Sequence, residues 1–468
     1  MTFSSLVFLC IFLPTVFLLH WVLPSVRLQN ALLILASLLF YAFGEPVYVL
    51  LMIVCAFFNY LFALLLGRKK SKAAVTVAVI ANLGMLGVFK YAGFVVESLN
   101  RIPGLSLPVP QIALPIGISF FTFQALSYVI DVHRGRVPAQ RSFWRILLYV
   151  AFFPQLIAGP IVKYKDIAEQ IEDRRVTLRA AAFGMRRFLF GLGKKVLIAN
   201  TLAVAADHIF ARSPAALNAP AAWLGLIAYT LQIYYDFSGY SDMAIGLGRM
   251  FGFTFLENFD FPYLAVSVRE YWRRWHISLS SWFRDYVYIP LGGNRKGKYR
   301  TGLNKFLVFF LTGLWHGANW TFVVWGIYHG LFSLMEEVVP AVRKLPRFLG
   351  HIYAMLQVTL GFVIFRSDSL PYAMGYFKAM FTGFDLSPAA NLLFLRELTP
   401  FFLLMFAAAV LLCAPVGALV GRLRAYHTRT PAERREQGVL FVLSFLVLLW
   451  CLIRLSGGSY NPFIYFRF

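Results

Sequence analysis

The chain is 468 residues long, 59% hydrophobic and only 14% charged, with a mean hydropathy of +0.68. No soluble domain of this length could hide so much apolar surface in one core, so the composition excludes a soluble globular protein and points to a polytopic membrane protein. The formal charge of +23 would otherwise raise the question of nucleic acid, but the basic residues form no domain of their own and sit in short loops, so nucleic-acid binding is set aside.

Apolar runs near the roughly 20 residues that span hydrocarbon recur along the chain, at 3–23, 31–66, 73–94, 115–130, 143–161, 221–246, 306–334, 351–365, 400–419 and 438–455. With the longer runs split, they predict an all-α fold of about 10 to 13 membrane segments, held in a single membrane domain over 1–468. The first run has no basic residue before it and no small-residue cleavage pattern after it, so it reads as a permanent span rather than a removable signal. Cys10, Cys55, Cys413 and Cys451 lie in apolar stretches without metal-ligand spacing, and no metal site is expected.

Basic clusters flank the apolar runs, as in Arg68-Lys69-Lys70-Ser71-Lys72, Arg174-Arg175 and Arg295-Lys296-Gly297-Lys298-Tyr299-Arg300. The positive-inside bias puts 68–72 and 133–145 in the cytoplasm and 95–113 outside. The run 143–161 then has basic flanks at both ends, which a single crossing cannot accommodate. A re-entrant segment can, and Pro154 and Gly159-Pro160 supply the helix breaks. A kinked structural span is the alternative.

Gln124, Tyr128 and Asp131 share one helical face of the run after residue 115, and Gln232, Asp236 and Tyr240 share another. Both faces must look inward, for hydrogen bonding within the bundle or for chemistry. In the polar interval 250–300, Trp272, Trp275, Leu279, Trp282 and Tyr286 recur at three- and four-residue steps. They predict one interfacial helix over 271–286, with Arg273, Arg274 and Arg284 off its aromatic face. Such a helix either floats in the headgroup layer or docks an acidic donor.

The run Leu314-Trp315-His316-Gly317-Ala318-Asn319-Trp320 plants an ionisable imidazole among apolar residues. Desolvation favours its neutral form, which suits a general base; a buried structural hydrogen bond is the other reading. His316 and His329 are 13 residues apart, about 220° and about 20 Å on one continuous helix, too far to share a metal. His20, His133, His208, His351 and His427 fall near segment ends, where an interfacial histidine needs no special account.

Taken together, Trp315–Asn319, Arg273-Arg274-Trp275-His276-Ile277-Ser278-Leu279-Ser280, the stretch 235–242, Phe153-Pro154-Gln155-Leu156-Ile157-Ala158-Gly159-Pro160 and the stretch 114–120 resemble the membrane-bound O-acyltransferases. Within them the resemblance is to the branch that serves alginate, cellulose and other exopolysaccharide O-acetylation. The motifs occur in order from about Phe89 to Arg366, and the ending 462–468 is similar too. The resemblance implies a helical fold around a cavity, with His316 and His276 as the catalytic pair. Trp315, Asn319, Asp236, Tyr240, Gln155 and Gln124 would line the cavity. Trp272, Arg273, Arg274, Trp282 and Arg284 would dock the donor, which would be acetyl-CoA or another acetyl thioester, with no tightly bound cofactor. His316 could act as base or carry the acyl group.

The chain contains no G-x-S-x-G elbow and no extramembrane region able to hold a serine triad. Relatives of this type work with a periplasmic or membrane-anchored SGNH-type acetyltransferase, so that partner and the exopolysaccharide synthesis and secretion machinery are expected, in the bacterial inner membrane. The loops 95–113 and 367–398 are its expected docking surfaces. Two alternatives stand beside this reading: D-alanyl transfer to teichoic acid, and a polysaccharide or lipid transporter. No internal repeat supports the transporter.

Overall fold

In the computed structural model, residues 1–414 and 431–464 are described, apart from 459 and 462. His427 and most of the 462–468 ending lie outside the described residues. Every regular element among the described residues is a helix. In chain order these are α1 (Leu13–Val22), α2 (Val26–Ala42), α3 (Tyr48–Arg68), α4 (Lys72–Leu99), α5 (Ile118–His133), α6 (Phe143–Ala151), α7 (Phe153–Leu156), α8 (Tyr164–Glu172), α9 (Leu178–Gly193) and α10 (Asn200–Phe210). After these come α11 (Ala219–Met250), α12 (Val268–Arg274), α13 (Ile277–Phe283), α14 (Gly297–His316), α15 (Trp320–Val338), α16 (Pro340–Arg343), α17 (Arg347–Arg366), α18 (Leu370–Thr382), α19 (Leu392–Glu397), α20 (Pro400–Leu412) and α21 (Pro431–Ser456).

Among the described residues, five helical segments are long and apolar enough to cross a membrane: Tyr48–Arg68, Lys72–Leu99, Leu178–Phe210, Arg347–Arg366 and Gln437–Ser456. Three shorter apolar helices, Phe8–Val22, Val26–Ala42 and Pro400–Leu412, add to them. The remaining apolar runs fold in more than one way, some as long helices such as α11, α14 and α15. Several apolar runs fold as short or broken helices, such as α5 with 16 residues and α6 with nine.

The chain divides into two compact units, one of Met1–Phe188 with Tyr240–Leu256, the other of Leu189–Gly239 with Glu257–Phe468. In the first unit, α6 is about 14 Å long, under half of a hydrocarbon core. It ends at Phe152, whose extended ψ of 111° breaks the helix just before Phe153-Pro154. The chain then comes back alongside α6. Tyr149 Oη donates to the Val162 carbonyl at 3.0 Å, the Tyr149 and Tyr164 rings meet at 5.2 Å, and Gln140 Nε2 donates to Tyr164 Oη at 3.0 Å and to Glu172 Oε1 at 2.9 Å. This is the re-entrant path that the paired basic flanks and the proline and glycine breaks predict.

The second unit is organised by the hairpin of α14 and α15. The two backbones approach closely at glycines. A Cβ on Gly326 would lie 2.7 Å from the Phe309 carbonyl oxygen, and one on Gly313 would collide with the Phe322 carbonyl oxygen. Small residues permit such contact where helices cannot rely on hydrophobic burial to associate. Replacing Gly326 by Val should therefore prise the hairpin apart, at a cost of about 1–3 kcal/mol. Thermal unfolding of the purified protein in detergent should show the lowered midpoint.

Candidate active site

His316 is the last residue of α14. The helix stops there because Gly317 is extended, at φ −166°, and because Asn319 starts the next helix: its Oδ1 accepts from Thr321 N–H at 3.0 Å while its Nδ2 donates to the Asp368 carbonyl at 3.1 Å. A side chain on Gly317 would collide with the Phe322 ring. The corner leaves His316 only 6% exposed, its ring packed edge-to-face on Trp315, Trp325 and Phe365 at 5.1–5.2 Å.

His276 occupies a second corner. The interfacial helix expected over 271–286 is not continuous: it breaks between α12 and α13, where His276 takes a left-handed conformation at φ 44°. The agent of the break is Asn258. Its carbonyl accepts the Ile277 N–H at 2.9 Å, and its Oδ1 accepts the Ser278 N–H at 3.1 Å and the Ser278 hydroxyl at 2.8 Å. The same Oδ1 lies 3.2 Å from His276 Nδ1, which fixes the proton there and turns Nε2 away as the basic nitrogen. Nε2 is buried and has no hydrogen-bond partner among the described residues. Burial alone pulls the imidazole down to about 3.

One side chain links the two corners: Trp315 packs against the His276 ring at 6.0 Å and the His316 ring at 5.1 Å. His276 also opens onto a cavity of about 230 Å³ whose walls include Trp272, Arg273, Arg284, Lys305 and Phe309. Of its cations, Lys305 and Arg269 share the Glu337 carboxylate, and Arg284 holds Asp285 at 3.0 Å. Arg273 is exposed and forms no ion pair among the described residues.

The geometry sorts the residues singled out in the sequence. His276, Trp272, Arg273 and Arg284 come together around this cavity, with Trp315 and His316 behind them. Arg274 is turned onto Glu270 at 2.7 Å and the Asp260 carbonyl at 3.1 Å, and Trp282 is 4% exposed, packed on Phe283 and Tyr286. Asp236 is buried in an ion pair with Lys195 at 2.8 Å and accepts the Ile464 N–H at 2.9 Å, a structural clamp within the second unit. Gln124, Gln155 and Tyr240 belong to the first unit. There Gln124 buries both side-chain polar atoms without a partner among the described residues, and Gln155 gives its Nε2 to the Tyr149 carbonyl while its Oε1 is left over. Tyr240 stacks on Phe3 at 4.7 Å.

Two features escaped the sequence. Asn258 lies in an irregular segment without periodicity. His329 does not continue the helix of His316: the break at Gly317–Asn319 folds it back, so that Trp325 touches both rings, at 5.2 and 4.6 Å. The expected separation of about 20 Å assumed one continuous helix and does not hold. His329 Nδ1 lies 3.1 Å from Gln357 Nε2.

Comparison with known proteins shows the family of the chain. Residues 46–370 match the membrane-bound O-acyltransferase family. The chain belongs to that family. It is 42% identical to the probable alginate O-acetylase of Pseudomonas putida over the full length of both chains. The peptidoglycan O-acetyltransferase of Helicobacter pylori is 36% identical, over 81% of this chain and 79% of its own length, and the teichoic acid D-alanyltransferase of Bacillus subtilis is 27% identical over 59% and 76%. The protein is thus a membrane-bound O-acyltransferase.

The depressed value at His276 carries a prediction. An unfolded histidine titrates near 6.5, so the folded state binds fewer protons between about pH 3 and 6.5. The stability due to neutral His276 is complete above pH 6.5 and is lost as pH falls towards 3. His276→Gln should flatten the fall in melting temperature between pH 7 and pH 4.5, and acyl transfer should show no limb near pH 6.5 that vanishes in this variant.

Proposed function

We propose that this membrane O-acyltransferase takes an acetyl group from a cytoplasmic thioester such as acetyl-CoA and passes it across the bacterial inner membrane for O-acetylation of an exported polysaccharide. The observation that carries this reading is the cavity: its lining joins the exposed cation Arg273 to the aromatic walls of Trp272 and Phe309 and to His276. That lining suits a carrier with anionic and apolar parts ending in an acyl group. The acetylase names of the relatives that match most of this chain favour acetyl over D-alanyl.

In the transfer, His316 removes the acceptor hydroxyl proton, the new O–C bond forms and the C–S bond breaks, and the imidazolium returns the proton to the departing thiolate. The aromatic enclosure of Trp315, Trp325 and Phe365 keeps water from competing for the thioester. His276 borders the donor side, where its proton stays on Nδ1 with Asn258. A periplasmic or membrane-anchored SGNH-type acetyltransferase completes delivery, because this chain carries no G-x-S-x-G elbow of its own.

His316→Ala should abolish polymer acetylation while the protein still inserts and the polymer is still secreted; normal acetyl content would sink the assignment. A labelled acetyl group trapped on His316 at low pH would replace the base by a carrier role. His276→Ala should lower transfer less completely. Arg273→Ala should raise the apparent KM for a phosphate-bearing donor by about tenfold, corresponding to loss of one charged hydrogen bond, with little change for a truncated thioester. In liposomes, this chain alone should fail to acetylate a lumenal oligosaccharide until the periplasmic partner is added.

A further inference from the structure

A second cavity in the same unit, of about 220 Å³, is lined by His208, Ala211, Arg212, Leu393, Arg396 and Glu397. Its walls are fixed from outside. Tyr372 Oη donates to the carbonyls of Phe210 and Arg212 at 2.6 and 3.1 Å, which pins the end of α10, and Asn218 Nδ2 holds Asn391 Oδ1 at 2.8 Å at the start of α19. Neither Arg212 nor Arg396 has an ion-pair partner among the described residues, whereas Arg366 nearby is spent on Asp207. Glu397 is buried at 7% exposure, and its Oε1 lies 3.1 Å from His208 Nδ1.

These charges do not cancel. Two guanidinium groups against one carboxylate leave a surplus of a single positive charge, which suits a monoanion better than a phosphate dianion. Guanidinium forks match the planar carboxylate in particular. Glu397 Oε1 takes the Nδ1 side of His208, so the nitrogen left to a ligand is Nε2, an acceptor in the neutral ring. A ligand that fills both roles carries a carboxylate beside a hydroxyl. At about 30 Å³ per water, the space equals about seven water molecules, which is room for about one sugar ring.

We infer that this cavity binds an acidic sugar unit, its carboxylate held by Arg212 and Arg396 and a neighbouring hydroxyl donated to His208. The inference rests on the polysaccharide reading only in naming the acceptor's chemistry, and it is tested by binding, so its failure leaves the acetyl-transfer reading standing. The full-length protein in lipid nanodiscs should be titrated calorimetrically with short glucuronic acid oligomers, neutral glucose oligomers of equal length, inorganic phosphate and a glutamate-rich peptide. The glucuronic acid oligomers should bind, with the other three weaker by about tenfold or more. Arg212→Gln and Arg396→Gln should each weaken that binding about tenfold, and Arg396→Lys should lose part of it, because charge remains but the fork does not. Donor thioester consumption and melting temperature should be unchanged in these surface variants. Equal binding of neutral oligomers, equal or tighter binding of phosphate or of the acidic peptide, or unaltered binding by both glutamine variants would each overturn the assignment.

Discussion

The constraint on which everything else depends is that a helix interrupted inside apolar surroundings must find partners for the backbone groups it releases. Both histidines of the candidate site stand at such interruptions, and in each an asparagine side chain supplies what the backbone loses. Asn319 receives the first N–H groups of α15 and so allows α14 to stop at His316. Asn258 receives those of α13 and so allows His276 its left-handed turn. The geometry of the candidate site follows from capping: an imidazole at a helix end points away from the ladder of its own helix and can be surrounded by rings from its neighbours. Trp315, set between the two corners, then ties the cavity beside His276 to the enclosure of His316.

Much of this was legible in the chain itself, for physical reasons that differ from element to element. Apolar length and flanking charge revealed the membrane character, and Pro154 with Gly159-Pro160 revealed the returning segment, because a missing donor and a fixed φ act locally. The Trp315–Asn319 motif marked its own helix break with a glycine and an asparagine. The 271–286 stretch misled because the aromatic spacing runs unaltered through a break imposed by Asn258, a residue 18 positions away from His276. Long-range pairing was equally hidden: nothing local tells that Glu337 joins Lys305 to Arg269, or that Arg274 is committed to Glu270 while Arg273, beside it, forms no ion pair among the described residues.

The cavity beside His276 owes its character to that division of labour among cations. One Glu337 carboxylate is shared by Arg269 and Lys305 and Asp285 holds Arg284, so the pocket keeps a surplus of positive charge, part of it on the exposed Arg273.

The clamp around Asp236 bears on how the protein is made. Lys195 and Asp236 are close in the chain, but the Ile464 N–H that completes the carboxylate's coordination is 228 residues further on. At ribosomal speeds of about 5–20 residues per second, that donor arrives roughly 10–45 s after the aspartate. Throughout this interval a buried carboxylate in α11 lacks its last backbone partner. The second unit is therefore closed by its late-arriving tail, and chains stalled before that point would present quality-control proteases with an acidic group already inside an apolar helix bundle and not yet sealed.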